Sequence, residues 1–384
     1  MSGAALPALS VLPALSIPAG TPIAQVDTPA LVIDLDAMLR NLGAMSTYAR
    51  EHRMRLRPHA KMHKSATIAK LQIEAGAVGV CVQKLSEAEA LAGLGVTDIF
   101  ISNEIVDPAK LERFAVLAGR IRLAITVDSA LGIERLASAL KAQGASADVF
   151  VEIDVGQGRC GVAPTAAGQL AHQVVSHGLH FAGLQAYHGK AQHLRSAAER
   201  EAALRHTVAL VRAAQAGITR AGIACPLVTG AGTGSFVHET ESGLYAELQC
   251  GSYLFMDRDY ADNEPTLRAP RFEHALFVKS QVMSRGASHA VVDAGHKSHA
   301  VDSGLPSVWQ RELDYANGGD EHGILRPRAG KPAALPELGE TVWLVPGHCD
   351  PTVNLHDHYV VVRGGLAEGV VEAVWPVDTR GHLT

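Results

Sequence analysis

The stretch Asp98–Val127, DIFISNEIVDPAKLERFAVLAGRIRLAITV, contains the pattern from which the architecture follows. Short apolar runs, Asp98–Ser102 and Arg122–Val127, stand at its two ends. Between them, Asp107 is followed by Pro108, which is typical of a helix with an N-cap residue and a proline at its first position. The stretch predicts a strand, a helix and a second strand, the unit of parallel sheets.

The same alternation extends over about residues 30–253. Eight apolar runs recur there: Arg55–Pro58, Gly79–Val82, Asp98–Ser102, Arg122–Val127, Asp148–Ile153, His180–Gln185, Pro226–Thr229 and Tyr245–Gln249. Helix starts are also predicted at Asp36 and at a capping box of Ser86 with Glu89. Eight strand–helix units predict an α/β fold, a (β/α)8 TIM-type barrel, because eight is the number that closes a barrel. An open doubly wound sheet is the alternative.

Three regions are expected along the chain. Residues 28–270 are predicted to form the barrel, and residues 271–384, where β-rich runs such as TVWLVPGH and HYVVVRGG dominate, a C-terminal antiparallel β domain. A strand at Thr28–Leu35 is expected to join that β domain. Residues 1–27 are apolar, contain prolines and lack the charged start of a signal peptide, so we expect a surface arm packed on a partner subunit.

Composition excludes several classes of protein. The chain has 384 residues, of which 47% are hydrophobic and 19% charged, as expected of a globular protein with a large core. The net charge is −5 and basic residues form no stripe, which argues against a nucleic-acid partner. A membrane partner is not expected, because no apolar run spans a bilayer. The five cysteines form no CxxC pair, which indicates a reducing compartment and a cytoplasmic protein.

Lys61, in RPHAKMHKS, follows the first run of the predicted barrel. Active sites of such barrels lie at the carboxyl ends of the strands. An amine there can form a Schiff base if burial and cationic neighbours lower its pKa. A solvated basic loop is the alternative. Polar residues also follow other predicted strands: Gln83, Asn103, Glu104, Glu152, Asp154, Arg159, Gln185, Tyr187 and His188.

Two glycine-rich loops follow the last two predicted strands. They are TGAGTGS, with Gly232 and Thr233, and CGSY, with Gly251 and Ser252. Exposed N–H groups and hydroxyls after strands seven and eight of a barrel are typical of a phosphate site, with simple tight turns as the alternative. A lysine opposite a phosphate site predicts pyridoxal 5'-phosphate. Arg159 is then expected at the pyridine nitrogen and Tyr187 beside the ring.

His348 and Asp350 form a candidate metal pair in the segment GHCDP. Residues two apart in an extended chain point to the same side. An imidazole with a carboxylate suits Mn²⁺, Mg²⁺ or Zn²⁺, and so few protein ligands leave positions for substrate oxygens. The pair His356 and His358 is the competing candidate.

Nine motifs in order resemble those of the D-threonine aldolases. They are RPHAKMHKS, QKLSEAEAL, VEIDVGQGRCGV, LQAYHG, GAGTGS, LQCGSYLFMD, VDAGHKS, DEHG and VPGHCDPTVNLHD. More broadly they resemble the fold-type III group that includes D-serine dehydratase and 3-hydroxy-D-aspartate aldolase. The resemblance runs from about residue 25 onward. It implies an alanine-racemase-like barrel with a β domain, pyridoxal phosphate, a divalent cation and a homodimer.

The resemblance also implies roles for individual residues. Lys61 corresponds to the Schiff-base lysine and His193 to a residue near the substrate, although a surface histidine at a helix start is an equal alternative. The metal ligands correspond to His348 and Asp350. The cofactor contacts correspond to Gln83, Arg159, Tyr187, Gly232, Thr233 and the backbone of Gly251, Ser252 and Tyr253.

The implied reaction is retro-aldol cleavage of a small D-3-hydroxy amino acid to glycine and an aldehyde. Substrates of the D-threonine, D-allo-threonine and D-phenylserine type are expected. Two alternatives remain: cleavage of 3-hydroxy-D-aspartate to glycine and glyoxylate, and dehydration of D-serine or 3-hydroxyaspartate. The first requires a cation for the second carboxylate, for which the candidates are Lys190, Lys297, His188 and Arg258. A pyridoxal phosphate carrier without catalysis is a further alternative.

Overall fold

A computed structural model describes residues 17–331 and 333–384. Its strands are β1 Ala30–Asp34, β2 Arg55–Leu56, β3 Val80–Val82, β4 Asp98–Ile101, β5 Arg122–Val127, β6 Asp148–Glu152, β7 His180–Ala186, β8 Val228–Gly230, β9 Glu247–Leu248, β10 Leu276–Arg285, β11 Ala290–Val292, β12 Ser307–Val308, β13 Leu313–Asn317, β14 Gly323–Pro327, β15 Thr341–Val345, β16 His358–Arg363 and β17 Val370–Pro376.

The α-helices are α1 Leu35–Glu51, α2 Ala66–Glu74, α3 Leu85–Gly93, α4 Pro108–Ala118, α5 Ala130–Gln143, α6 Ala167–Ser176, α7 Ala197–Arg220, α8 Phe236–Glu241, α9 Arg258–Ala261, α10 Cys349–Val353 and α11 Gly365–Glu368. Short 3₁₀ helices span Ile23–Gln25, Ala60–Met62, Pro164–Ala166, Gly189–His193 and Ser252–Leu254. In the described part of the chain, no helix is long and apolar enough to cross a membrane.

Strands β2 to β9 form one parallel sheet with the order β2-β9-β8-β7-β6-β5-β4-β3. Hydrogen bonds join its two ends, because the N–H of Val78 donates to Leu56 O at 2.9 Å and that of Cys81 to Pro58 O at 2.8 Å. The sheet therefore curls into the predicted TIM-type barrel, and the open doubly wound sheet is excluded. The strands are almost wholly buried, as expected when helices cover a parallel sheet.

The second sheet is mostly antiparallel, with the order β13-β14-β11-β10-β1-β16-β17 and with β15 paired to β10. The strand expected within Thr28–Leu35 is β1, which pairs antiparallel with β10 and parallel with β16. The N-terminal part of the chain thus contributes a central strand to the C-terminal sheet. The chain then enters the barrel directly through α1.

The described part of the predicted N-terminal arm packs on its own chain. The N–H of Gly20 donates to Val371 O at 2.8 Å and that of Ile23 to Gly369 O at 2.9 Å, and the Ile23 side chain is buried. Residues 17–27 are therefore attached to the second sheet of their own chain, and their contact with a partner subunit stays a prediction. The remainder of that prediction, residues 1–16, lies outside the described residues.

Two of the three predicted helix starts are misplaced. Helix α1 is capped by Asp34, whose carboxylate accepts an N–H from its first turn, and not by Asp36. Helix α3 begins two residues earlier than the predicted box of Ser86 with Glu89. Glu87 accepts the backbone N–H groups just before the helix at 3.0 and 3.1 Å, so it takes the acidic position of the box. Helix α4 starts as predicted.

Candidate active site

A cavity of about 420 Å³ opens at the carboxyl ends of the barrel strands. It brings together most of the residues predicted for the site: Lys61, Gln83, Arg159, Tyr187, His193, Gly232, Thr233, Gly251, Ser252, His348 and Asp350. The side chain of Tyr253 does not line the cavity. It is buried in the core, where its hydroxyl accepts a hydrogen bond from Gln72 Nε2 at 3.3 Å.

Lys61 lies on the single-turn 3₁₀ helix Ala60–Met62, directly after β2. Its Nζ is 3.0 Å from Asp350 Oδ1, and its side chain is 43% exposed. The Asp350 carboxylate raises the pKa of Lys61 above its ordinary value and outweighs burial, which acts in the opposite direction. The protein side chains alone therefore do not provide the lowered pKa named as a condition for Schiff-base formation, because the C-terminal region brings a carboxylate to the amine.

Asp378 and Thr379 bind the chain that follows Lys61. The Asp378 carboxylate accepts the N–H of Ala66 at 2.7 Å. The N–H of Thr379 donates to Lys64 O at 3.0 Å, and Lys64 Nζ donates back to Thr379 O at 3.3 Å. This contact could not be predicted from the sequence, because residues so far apart carry no local signal.

His59 fixes the side chain of Gln83 at the wall of the cavity. Its Nε2 lies 2.9 Å from Gln83 Nε2 and 3.3 Å from Ser102 Oγ, while its Nδ1 accepts the N–H of Lys61 at 3.3 Å. Burial, followed by the neighbouring Lys61 charge, lowers the pKa of His59 well below its usual value. The ring is thus a neutral hydrogen-bonding group at physiological pH.

The two glycine-rich loops meet at the cavity through a hydrogen bond from the N–H of Tyr253 to Thr233 Oγ1 at 3.0 Å. Among the described residues, no acceptor is bound to the N–H of Thr233 or of Ser252. Both residues line the cavity. Unpaired backbone N–H groups on adjacent loops are suited to an anion, so this wall fits the phosphate of pyridoxal phosphate.

The glycines of these loops are required by close packing. A Cβ on Gly232 would lie 2.4 Å from Gln192 Oε1, and a Cβ on Gly251 would lie 2.8 Å from His59 O. Gln192 is buried and donates to Ser235 Oγ at 2.7 Å, so it cannot easily move aside. The loops therefore present backbone to the cavity, as a phosphate site needs.

Arg159 and Tyr187 lie beside each other on another wall. The Arg159 Cζ is 6.0 Å from the centre of the Tyr187 ring, within the range of cation–π contacts. Burial raises the pKa of Tyr187, so the phenol stays neutral. A planar ring bound between the lysine and this wall would meet one aromatic and one cationic group.

His348 and Asp350 converge, although the backbone between them is not extended as predicted. His348 directly precedes α10 and Asp350 lies in its first turn, yet His348 Nε2 is 3.6 Å from Asp350 Oδ2. The two ligands of one metal ion are roughly 3–3.5 Å apart for bonds of about 2.1 Å. His348 Nδ1 lies 2.7 Å from Asp302 Oδ2, so Nδ1–H donates to that carboxylate and Nε2 is left as a ligand. The pair fits a divalent cation.

No larger metal cluster accompanies this pair. In residues 17–331 and 333–384, no group of three or more His, Cys, Asp or Glu side chains is arranged to hold a metal ion. In the competing pair, His356 Nε2 already contacts Ser298 O at 2.8 Å, and both histidines line a separate, smaller cavity. His348 and Asp350 are therefore the better candidates.

Asp259 orients His193, and it was not found from the sequence. His193 Nδ1 lies 2.6 Å from Asp259 Oδ2, and the Asp259 side chain is only 4% exposed. Burial acts to raise the pKa of Asp259, but the hydrogen bonds from His193 and Arg195 lower it below its ordinary value. The ionised carboxylate accepts Nδ1–H, so the neutral ring carries its lone pair on Nε2. A histidine held in this way is suited to act as a base.

Both the barrel part and the β-rich part of the chain match known protein families. Residues 33–259 match the alanine racemase N-terminal domain and residues 275–362 the putative serine dehydratase domain. A D-threonine aldolase of Arthrobacter sp is 46% identical over 94% of this chain and 95% of that protein. A 3-hydroxy-D-aspartate aldolase of Paracoccus denitrificans (strain Pd 1222) is 44% identical over 93% of each.

The crystal structure of D-threonine aldolase from Filomicrobium marinum superposes with a TM-score of 0.92 at 47% identity, and covers 96% of this chain and 100% of that one. The chain belongs to the family of D-threonine and 3-hydroxy-D-aspartate aldolases. In this family member the candidate site is formed by both parts of the molecule, because Lys61 comes from the barrel and His348 and Asp350 from the C-terminal region.

Proposed function

We propose that the protein is a pyridoxal phosphate-dependent aldolase, assisted by a divalent cation, that cleaves D-3-hydroxy amino acids to glycine and an aldehyde. The observation that carries the proposal is the approach of Lys61 Nζ to within 3.0 Å of Asp350 Oδ1. It places the lysine that corresponds to the Schiff-base residue of the resembled family beside a pair suited to a metal. The names of the relatives support the same substrate class. We further propose a cytoplasmic homodimer that binds no nucleic acid.

The cofactor would be held by Lys61 on one side of the cavity and by the N–H groups of Thr233 and Ser252 on the other. When bound, pyridoxal phosphate supplies an aldehyde that links covalently to an amino group and a conjugated ring that accepts the electron pair of a broken Cα–C bond. Arg159, as a permanent cation, is proposed to face the pyridine nitrogen and keep it unprotonated. Tyr187 and Gln83 would fix the position of the ring.

His348 Nε2 and Asp350 Oδ2 would hold the cation, with Mn²⁺ or Mg²⁺ preferred and Zn²⁺ as an alternative. A divalent cation in this place supplies charge that lowers the pKa of a hydroxyl beside it. The nearby amine has its own role. When it is not bonded to the cofactor, the Lys61 amine would lie beside Asp350 Oδ1 and stay within the cavity.

His193 is proposed to remove the proton of the 3-hydroxyl. Its Nε2 lone pair is available because Nδ1–H is committed to Asp259. When the ring gains the proton, the buried carboxylate stabilises the resulting charge. The Cα–C3 bond can then break as the 3-oxygen becomes an aldehyde oxygen.

Glycine release tests the proposal. Purified protein loaded with pyridoxal phosphate should release glycine from D-threonine and from D-phenylserine, and Mn²⁺ should increase the rate. Formation of ammonia and an oxo acid without glycine would instead favour a dehydratase. No reaction of bound cofactor with any of these substrates would favour a carrier.

Cofactor attachment is tested separately. The Lys61→Ala variant should lack the visible absorbance of lysine-bound pyridoxal phosphate. Lys64 is unsuitable as a control, because it is buried and its Nζ donates to Glu87 Oε1 at 2.7 Å. Lys141, exposed on the last turn of α5, is the better choice, and Lys141→Ala should keep the absorbance. Retention of the absorbance in Lys61→Ala would disprove the assignment.

A further inference from the structure

The cavity carries more positive than negative charge. Lys61, Arg159 and Lys190 line it, whereas Asp350 is its one carboxylate among the described residues. The proposed function uses Lys61 and Arg159 at the cofactor. The proposed function gives Lys190 no role at the cofactor. In the described part of the chain, no carboxylate lies within 4.0 Å of its Nζ. An unpaired lysine at the edge of an active-site cavity is suited to bind an anionic part of the substrate.

Lys190 occupies a defined position relative to the proposed base. Both Lys190 and His193 lie on the 3₁₀ helix Gly189–His193. Residues three apart on such a helix lie on the same side, about 6 Å apart along the axis. Lys190 is therefore placed one helical turn from His193, the residue proposed to act on the 3-hydroxyl. A second carboxylate on C3 of the substrate would be attached to the same carbon as that hydroxyl.

The backbone of this short helix is held firmly. The N–H of Gly189 donates to Gln157 Oε1 at 2.7 Å. The N–H of Gly234 donates to Gln192 Oε1 at 2.9 Å, which ties the helix to the proposed phosphate loop. Lys190 is therefore fixed at its Cα, and its Nζ extends to the loop before Arg159, 3.9 Å from the position of a Cβ on Gly158.

We propose that Lys190 determines specificity by binding a carboxylate on C3, so that 3-hydroxy-D-aspartate is favoured over D-threonine. The other cations considered from the sequence are less suited. Lys297 is paired with Glu321 at 2.6 Å. The cavity is lined by none of the three: Lys297, Arg258 and His188. The inference rests on the proposed function and specifies its substrate class.

Binding of substrate analogues that cannot be cleaved tests Lys190 without catalysis. D-aspartate and D-alanine both lack the 3-hydroxyl, and only D-aspartate has the second carboxylate. Their dissociation constants can be measured from the change in visible absorbance of the cofactor-loaded protein. We expect D-aspartate to bind more tightly, and Lys190→Met to reduce this preference at least tenfold, or by about 1.4 kcal/mol. Lys190→Arg should retain part of it, and Lys297→Met, a matched exposed lysine, should leave it unchanged.

Turnover supplies the second measurement. The ratio of kcat/KM for 3-hydroxy-D-aspartate to that for D-threonine should fall at least tenfold in Lys190→Met, with most of the change in KM. An equal loss for both substrates would overturn the inference, because Lys190 would then bind the α-carboxylate that they share. An unchanged ratio would overturn it as well. If no substrate yields glycine, the proposed function fails, while the preference for D-aspartate over D-alanine still decides the role of Lys190.

Discussion

Replacement of Asp259 by asparagine tests how His193 is prepared to act as a base. The carboxylate lies 2.6 Å from His193 Nδ1 and is 4% exposed. Asparagine keeps the size of the side chain and removes the charge. Its amide can turn its NH₂ toward Nδ1, and the ring proton then moves to Nε2, where the 3-hydroxyl proton should be received.

The magnitude follows from the contacts of the carboxylate. A hydrogen bond to a charged group contributes about 1.5–3 kcal/mol. Because Arg195 also binds Asp259, we take the lower part of this range, about 1.5–2 kcal/mol, which corresponds to a decrease in kcat of about 10- to 30-fold. Removal of the base in His193→Ala should cost about 100-fold or more.

The assay is glycine release by the cofactor-loaded protein with Mn²⁺. The visible absorbance of the cofactor should be unchanged in Asp259→Asn, because Asp259 does not line the cavity. Asp262 is an exposed carboxylate just after α9, the short helix that contains Asp259. Asp262→Asn is therefore the matched control and should keep full activity. In the His193→Ala background, Asp259→Asn should cause less than about a twofold further loss. A full 10- to 30-fold loss in that background would refute the reasoning, since Asp259 would then act without His193.

Three further perturbations have defined outcomes. Gly232→Ala should weaken cofactor retention during dialysis, because its Cβ would meet Gln192 Oε1 at 2.4 Å, whereas Gly43→Ala, with open space around it, should not. Asp302→Asn should weaken Mn²⁺ affinity about 10- to 100-fold in a titration, since a neutral amide holds Nδ1–H of His348 less strongly than the carboxylate does. Burial raises the pKa of Glu239 to about 7, so its neutral form is favoured by folding. Its contribution to stability, on the order of 3 kcal/mol, should be lost as pH rises from about 4.5 to about 7, and Glu239→Gln should flatten this part of the profile of Tm against pH.

Each of these expectations can fail in a recognisable way. Equal cofactor loss in both glycine variants would show that packing at Gln192 is not the cause. Unchanged Mn²⁺ affinity in Asp302→Asn would remove the argument for the orientation of His348. A Tm profile with the same slope in Glu239→Gln would assign that slope to other groups.

The barrel could be predicted from the sequence because its signals are local. Each strand–helix unit carries its own apolar run and, as at Asp107, its own helix start. The reactive lysine and the glycine-rich loops were found for the same reason, since each follows directly after a strand. The positions of Asp36 and Ser86 show the limit of this approach, because several polar residues near a boundary can cap a helix and only the packed backbone selects one.

The contacts between distant segments could not be predicted. Asp259 and Asp302 each lie far along the chain from the histidine that they orient, and nothing in their surrounding sequence separates them from ordinary acidic residues. The direction of the pKa shift of Lys61 was missed for the same reason. It is set by Asp350, which only the folded arrangement brings to the amine.

The hydrogen bonds of Asp378 and Thr379 to the chain after Lys61 also bear on when the site is completed during synthesis. The ribosome makes the barrel first, so Lys61 emerges long before Asp378 and Thr379, which bind the chain that follows it. We expect a nascent chain without these residues to lack a firmly placed Lys61 amine. Capture of the cofactor should therefore follow completion of the β-rich region, and chains released early should be unable to retain it.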